Sequence, residues 1–107
     1  MNNAIDAAFV YNVTTQVAHP IKESWIQWMK EIHIPQVLET GCFTHFQFVQ
    51  ILELDETDGL TYTVQYYAPS KALYNKYVDQ FAAALRNDAL QKWGNQIASF
   101  RSLMQCI

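Results

Sequence analysis

His33, Asn12, Trp25, Trp28, Tyr62 and Tyr66 are the residues whose type and spacing could do chemistry in this chain. His33 falls just before Ile34-Pro35, a pair that predicts a helix end because the residue before proline is pushed out of the α region. There the negative pole of the helix favours a protonated imidazole. Two roles stay open for it: an acid/base or ligand-orienting group at a pocket mouth, or a cap that bonds the last free carbonyls. Asn12 sits in a strand pattern beside Thr14 and Gln16. A buried asparagine in a sheet needs partners, so it either orients a small molecule or bonds across a seam between two copies. His33 and Asn12 are therefore the catalytic candidates. Trp25 and Trp28, with Met29, form a broad apolar surface that suits a planar or hydrophobic ligand. Tyr62 and Tyr66 complete the ligand-binding set, and all four serve equally well as core.

Other chemistries find little support. His33, Cys42 and His45 fit no zinc spacing and lack a fourth ligand, so no metal or cofactor is expected. Cys42 and Cys106 have no CxxC spacing and read as buried or half-buried thiols in a reducing cytoplasm. The formal charge is −3, and the seven basic residues are scattered rather than clustered. Nucleic acid and anionic membranes usually demand a basic patch. Phe9 to Val13 mimics the first-strand motif of an RNA-recognition domain, but Asp58 stands where strand three should open with a basic residue. No apolar run approaches the roughly eighteen residues of a membrane span, and Met1 to Ala7 has no secretory pattern. The expectation is a cytoplasmic protein with no nucleic-acid or membrane partner.

The elements that must position these residues are legible as periodicities. The 107 residues are half apolar, enough for one core and one domain, residues 1–107 with a core over about 8–106. Ala8 to Val17 alternates as a strand, with Phe9, Tyr11, Val13, Thr15 and Val17 on one face. His19-Pro20 starts a helix whose buried stripe is Ile21, Trp25, Trp28, Met29 and Ile32. After the predicted break at Ile34-Pro35, a one-turn helix runs to Thr40-Gly41. Strand two is expected over Phe43 to Leu54, a turn at Asp58-Gly59, and strand three over Leu60 to Ala68. Ser70 caps a second helix with a stripe of Tyr74, Tyr77, Val78, Phe81 and Leu85, breaking near Arg86-Asn87-Asp88 into a second piece that carries Leu90 and Trp93. Gln96 to Cys106 is strand four.

This β-α-β-β-α-β order predicts an α+β, ferredoxin-like sandwich with both helices on one face of a four-stranded antiparallel sheet. Strand two carries large apolar residues on both parities: Phe46, Phe48 and Leu52 against Phe43, Val49 and Ile51. Helices on one face leave the other bare, and an apolar patch left bare marks an interaction surface. Either a β-bulge shifts the parity, or a second copy covers the open sheet face as a homodimer.

The segment WIQWMKEIHIPQVLETGCF (Trp25 to Phe43), with FVYNVT (Phe9 to Thr14), TYTVQYYA (Thr61 to Ala68) and ALRNDALQKWG (Ala84 to Gly94), resembles a bacterial family known as domain of unknown function 4286. That family is placed with the dimeric α/β-barrels, the superfamily of antibiotic-biosynthesis-type monooxygenases. The resemblance covers nearly the whole chain after Ile5. It implies a barrel of two sheets face to face and no established activity. In many enzymes of the superfamily a pocket between sheet and helices handles substrate through Asn, His or Trp without a metal. Haem-degrading members use a histidine on the second helix, and none falls between Ser70 and Trp93. The expected function is a small dimeric protein binding a small hydrophobic molecule without catalysis. The alternative is a cofactor-independent monooxygenase- or isomerase-like enzyme.

Overall fold

The computed structural model describes residues 8–107. Strand β1 (Phe9–Val17) pairs with β3 (Leu60–Ala68) on one side and β4 (Ile97–Gln105) on the other, and β2 (His45–Ile51) lies outside β3. The sheet order β2-β3-β1-β4 is antiparallel throughout. This is the expected ferredoxin-like arrangement. Its inner face joins Tyr11, Thr15 and Val17 of β1 to Tyr62, Val64 and Tyr66 of β3, all buried under the helices.

Two helical runs cover that face. The first enters through a 3₁₀ turn at His19–Ile21, with Pro20 in its first turn, and continues as α1 (Lys22–Trp28). The predicted break does not occur. Ile34 keeps helical angles (φ −60°, ψ −45°), and α2 (Ile34–Glu39) follows α1 through a single π-helical turn, Met29–His33. In a regular α-helix Pro35 would lack its bond to residue 31 and press its ring on that carbonyl; a wider turn just before it relieves both problems.

The extra residue also resets the buried stripe. Trp25, Trp28 and Met29 are followed by Ile34 and Val37, whereas Ile32, expected in the core, is 47% exposed. The second run repeats the device. Here α3 (Lys71–Tyr77), a π-helical turn (Val78–Ala82) and α4 (Ala83–Trp93) form one uninterrupted helix, with no break near Arg86. Tyr77 and Ala82 are buried five residues apart, Val78 turns outward, and of the pair Leu90 and Trp93 only Trp93 is buried. The ends follow the expected chemistry. Ser70 Oγ accepts from the Leu73 amide at 3.2 Å, and Gly41 takes φ +77° after the first run. Gly59 lies so close to the Val17 carbonyl that no side chain fits between them.

The outer face differs from expectation. Strand β2 pairs residue for residue with β3, from His45↔Tyr67 to Ile51↔Thr61, without a bulge. It is shorter than predicted: Leu52 and Leu54 lie beyond it, exposed. Phe43 precedes the strand and is buried against Tyr11, Tyr66 and Tyr77. The bare face is therefore not greasy throughout. Its centre carries Asn12, Thr14, Thr61, Thr63 and Gln65, and its apolar residues lie around them, Val10 near the start of β1, Val49 and Ile51 on β2, and Phe100 and Met104 on β4. Cys42 is buried, while Cys106 is exposed. Among the described residues no helix is long and apolar enough to cross a membrane.

Candidate functional site

The inner sheet face and the two helical runs enclose a small cavity, about 40 Å³, room for a few waters. Tyr11 and Tyr66 form part of its floor, Trp25, Trp28 and His33 come from the first run, and Tyr77 and Arg86 from the second. A groove of about 220 Å³ between α4 and β4 adjoins it, and both spaces are lined by Arg86, Ala89, Ile97, Ser99 and Arg101.

The π turn is what brings His33 here. Without the inserted residue, position 32 would occupy the inward stripe. His33 stacks on Trp28, ring centroids 4.9 Å apart and planes 24° from parallel, and Trp28 meets Trp93 edge-on at 5.9 Å. The surroundings invert the sequence-based reading of this residue. His33 is no helix cap, and its pKa is not raised by a helix terminus. Burial, then the Arg101 charge, lower it to about 4 against a weaker opposing pull from Asp88. At neutral pH the imidazole is uncharged, and its buried Nδ1 has no partner.

Among the described residues the Tyr66 hydroxyl and Trp93 Nε1 are the other buried side-chain atoms without a partner, and of these two residues Tyr66 lines the same cavity. Burial, with Tyr77 and Tyr11 nearby, pushes its pKa far above the ordinary tyrosine value, so it stays a neutral phenol. Buried polar groups without partners are uncommon in folded proteins, and two side chains lining one small cavity carry one each. Tyr66→Phe removes one of them. It is expected to leave thermal stability unchanged or raise it by about 1 kcal/mol in urea denaturation, because a buried hydroxyl without a bond gives nothing back for its lost hydration. A loss of similar size would mean that the hydroxyl is bonded in solution.

Trp25, Trp28, Tyr66 and His33 thus share one cavity. Tyr62 packs on Trp25 at 5.3 Å but lines a separate shallow pocket with Ile26, Lys30 and Phe48. Asn12 is not beside His33, with which it was paired as a catalytic candidate. It lies on the outer sheet face, accepting from Thr63 Oγ1 at 2.6 Å and donating to Thr14 Oγ1 at 3.1 Å. Its side chain is held within the sheet. His45 stacks on Tyr67 at 4.3 Å, and no trio of His, Cys, Asp or Glu among the described residues could hold a metal.

Two residues at the cavity mouth were not anticipated. Arg86 Nη2 donates to the Tyr11 hydroxyl at 3.3 Å, and that bond helps raise its pKa, securing the charge. Arg101 projects from the helix-facing row of β4. The available signal for Arg101 was its parity, since it alternates with Ile97, Ser99 and Leu103 on what should be an inward face. Arg86 gave none, because it sits in a polar run that looks like a solvated helix end.

Residues 8–107 match the family described as Domain of unknown function (DUF4286). The chain belongs to that family. No curated protein is similar enough in sequence to count as a relative of this DUF4286 chain. Its fold recurs in solved structures of very different sequence. A dimeric ferredoxin-like protein from an uncultured marine organism superposes with TM-score 0.71 at 8% identity, over 94% of this chain and 96% of that one. A monooxygenase from the gene ActVA-Orf6 of Streptomyces coelicolor, in complex with nanaomycin D, gives 0.67 at 15%, over 95% and 89%. SnoaB, a cofactor-independent oxygenase from Streptomyces nogalater, gives 0.64 at 13%, over 94% of each chain. At such identities the likeness is one of fold, and function has to be argued from the site.

Proposed function

We propose that this protein binds a small aromatic or hydrophobic molecule in the groove between α4 and β4, its end reaching the cavity between sheet and helices, and does so as a homodimer paired through its outer sheet face. One observation carries the binding role: His33 and Tyr66, each with a buried polar atom that has no partner, line the same aromatic-walled space. A few fixed polar groups in an aromatic-lined hollow are what a small-molecule site requires. The fold is shared with a monooxygenase that holds the small molecule nanaomycin D, which supports a binding role. Binding is favoured over proton-transfer chemistry, since a general base works best with a pKa near the working pH and His33 sits at about 4.

The test is an NMR titration of labelled protein with a small aromatic fragment set. Shifts concentrated at His33, Tyr66 and the Trp28 indole are expected; fragments that perturb only surface residues would refute the site. Turnover of a bound fragment, lost in His33→Ala at unchanged stability, would replace binding with cofactor-independent oxygenase or isomerase chemistry.

Pairing is supported by the bare apolar edges of the outer face. Phe100 is 64% exposed, Met104 40% and Val49 37%, and the partnered fold is found in a dimeric ferredoxin-like protein. Phe100→Glu is expected to shift the protein from dimer to monomer at micromolar concentration in sedimentation equilibrium, because it places a charge in an apolar contact. A wild-type monomer under those conditions would remove the dimer from this reading.

A further inference from the structure

The cavity and its outer groove have a charge pattern that a merely hydrophobic ligand would not need. Arg86 and Arg101 line both spaces, while no Asp or Glu lines either one. Arg86 has the Tyr11 hydroxyl as its hydrogen-bond acceptor, and the groups around it are the tyrosines 11, 74 and 77. Asp88 lies two residues from Arg86 and so on another side of the helix, and at His33 its pull is outweighed by Arg101. Two guanidiniums therefore stand at the entrance with donors to spare, and deeper in stand a neutral imidazole nitrogen and a neutral phenol, both unpartnered.

Guanidinium forks match carboxylates, which accept two parallel bonds. A neutral imidazole and a phenol, by contrast, can exchange hydrogen bonds with an uncharged hydroxyl or carbonyl. The inner space of about 40 Å³ and the groove of about 220 Å³ are small, below the usual volume of drug-sized sites. The groove has room for one ring rather than a fused system, and the inner space only for a small polar group.

We propose that the ligand is a monocyclic aromatic acid, its carboxylate held at the mouth by Arg86 and Arg101 and a neutral polar group at its far end directed to Tyr66 and His33. This deepens the binding reading above and rests on the same cavity. The groove of about 220 Å³ takes the ring, and the inner space, walled by Trp28 with His33 stacked on it, takes only the polar group at its far end. The acid enters last, staying near water, where a carboxylate loses less hydration than it would inside.

The probes are 4-hydroxybenzoate and its uncharged isostere 4-hydroxybenzamide, titrated into the full chain and followed by NMR at His33 and Tyr66. The acid is expected to bind at least about tenfold more tightly than the amide, the scale of a charge-assisted bond. In Arg86→Gln/Arg101→Gln the two affinities should converge, with the amide's unchanged. Equal affinities in the wild-type protein would overturn the acid assignment and leave the cavity reading standing. If neither probe moves a cavity resonance, both fall. Should the double variant not fold, the acid–amide comparison on the wild-type chain decides alone.

Discussion

Trp25→Ala should lower the stability of the protein by about 3–5 kcal/mol, the usual range for removing a buried tryptophan. Trp25 is 2% exposed and wedged between the first helical run and the sheet, with Phe48 edge-on at 5.8 Å and Tyr62 at 5.3 Å. Its removal leaves a void that stiff neighbours cannot fill, so lost dispersion adds to lost burial. For a chain of this length the melting temperature should fall by more than about 12 °C. Leu52→Ala is the control: that side chain is 66% exposed, and surface truncations stay within about 0.5 kcal/mol. Urea denaturation of both variants checks the contrast. A Trp25 loss below about 1 kcal/mol would mean that this side chain does not anchor the helix to the sheet.

The second large effect is on pH. In the folded protein His33 holds its proton far less tightly than in the unfolded chain, with a pKa lowered from 6.5 to about 4 by burial and by Arg101. A depressed folded value means that the unfolded state binds the proton more readily between those limits. Stability is thus fully present above about pH 6.5 and is lost as pH falls toward 4. At about 1.36 kcal/mol per pKa unit, the loss attributable to His33 is about 3 kcal/mol. The groups acting on it from the elements packed around it are Arg101 on β4 and Asp88 on α4. Urea midpoints collected from pH 7 to pH 4 should fall steeply in the wild-type protein and much less in His33→Gln. Parallel curves would place His33 in contact with water.

Much of the fold was readable because alternation and helical stripes are direct consequences of burial. The parities of β1 and β3, the Ser70 cap, the Gly41 stop and the Pro20 entry all follow from local chemistry. The π turns were not readable, since one inserted residue leaves composition unchanged and only shifts the periodicity after it. That is why Ile32 and Val78 were assigned to the core when Ile34 and Ala82 occupy it. The same shift hid the environment of His33: its sequence position suggested a helix end, and the inserted residue turns it onto Trp28 instead.

The site was legible by residue type but not by neighbourhood. Trp28, Tyr66 and His33 stood out as chemical groups and do share a cavity. Asn12 stood out for the same reason, and strand parity already separated it from Tyr11. What no one-dimensional pattern tied to His33 was which face the helices would cover. Arg86 was invisible for another reason, because a charge in a helix is normally solvated and only the fold brings it to Tyr11, 75 residues away.

The account rests on the unpartnered Tyr66 hydroxyl and His33 Nδ1 being the polar end of a ligand site, and a crystal structure grown with 4-hydroxybenzoate tests that most directly. The predicted result is a ring in the groove between α4 and β4 with an oxygen within about 3.2 Å of Tyr66 Oη or His33 Nδ1. A cavity closed by its own side chains, with both atoms bonded inside the chain and the probe elsewhere, would contradict it.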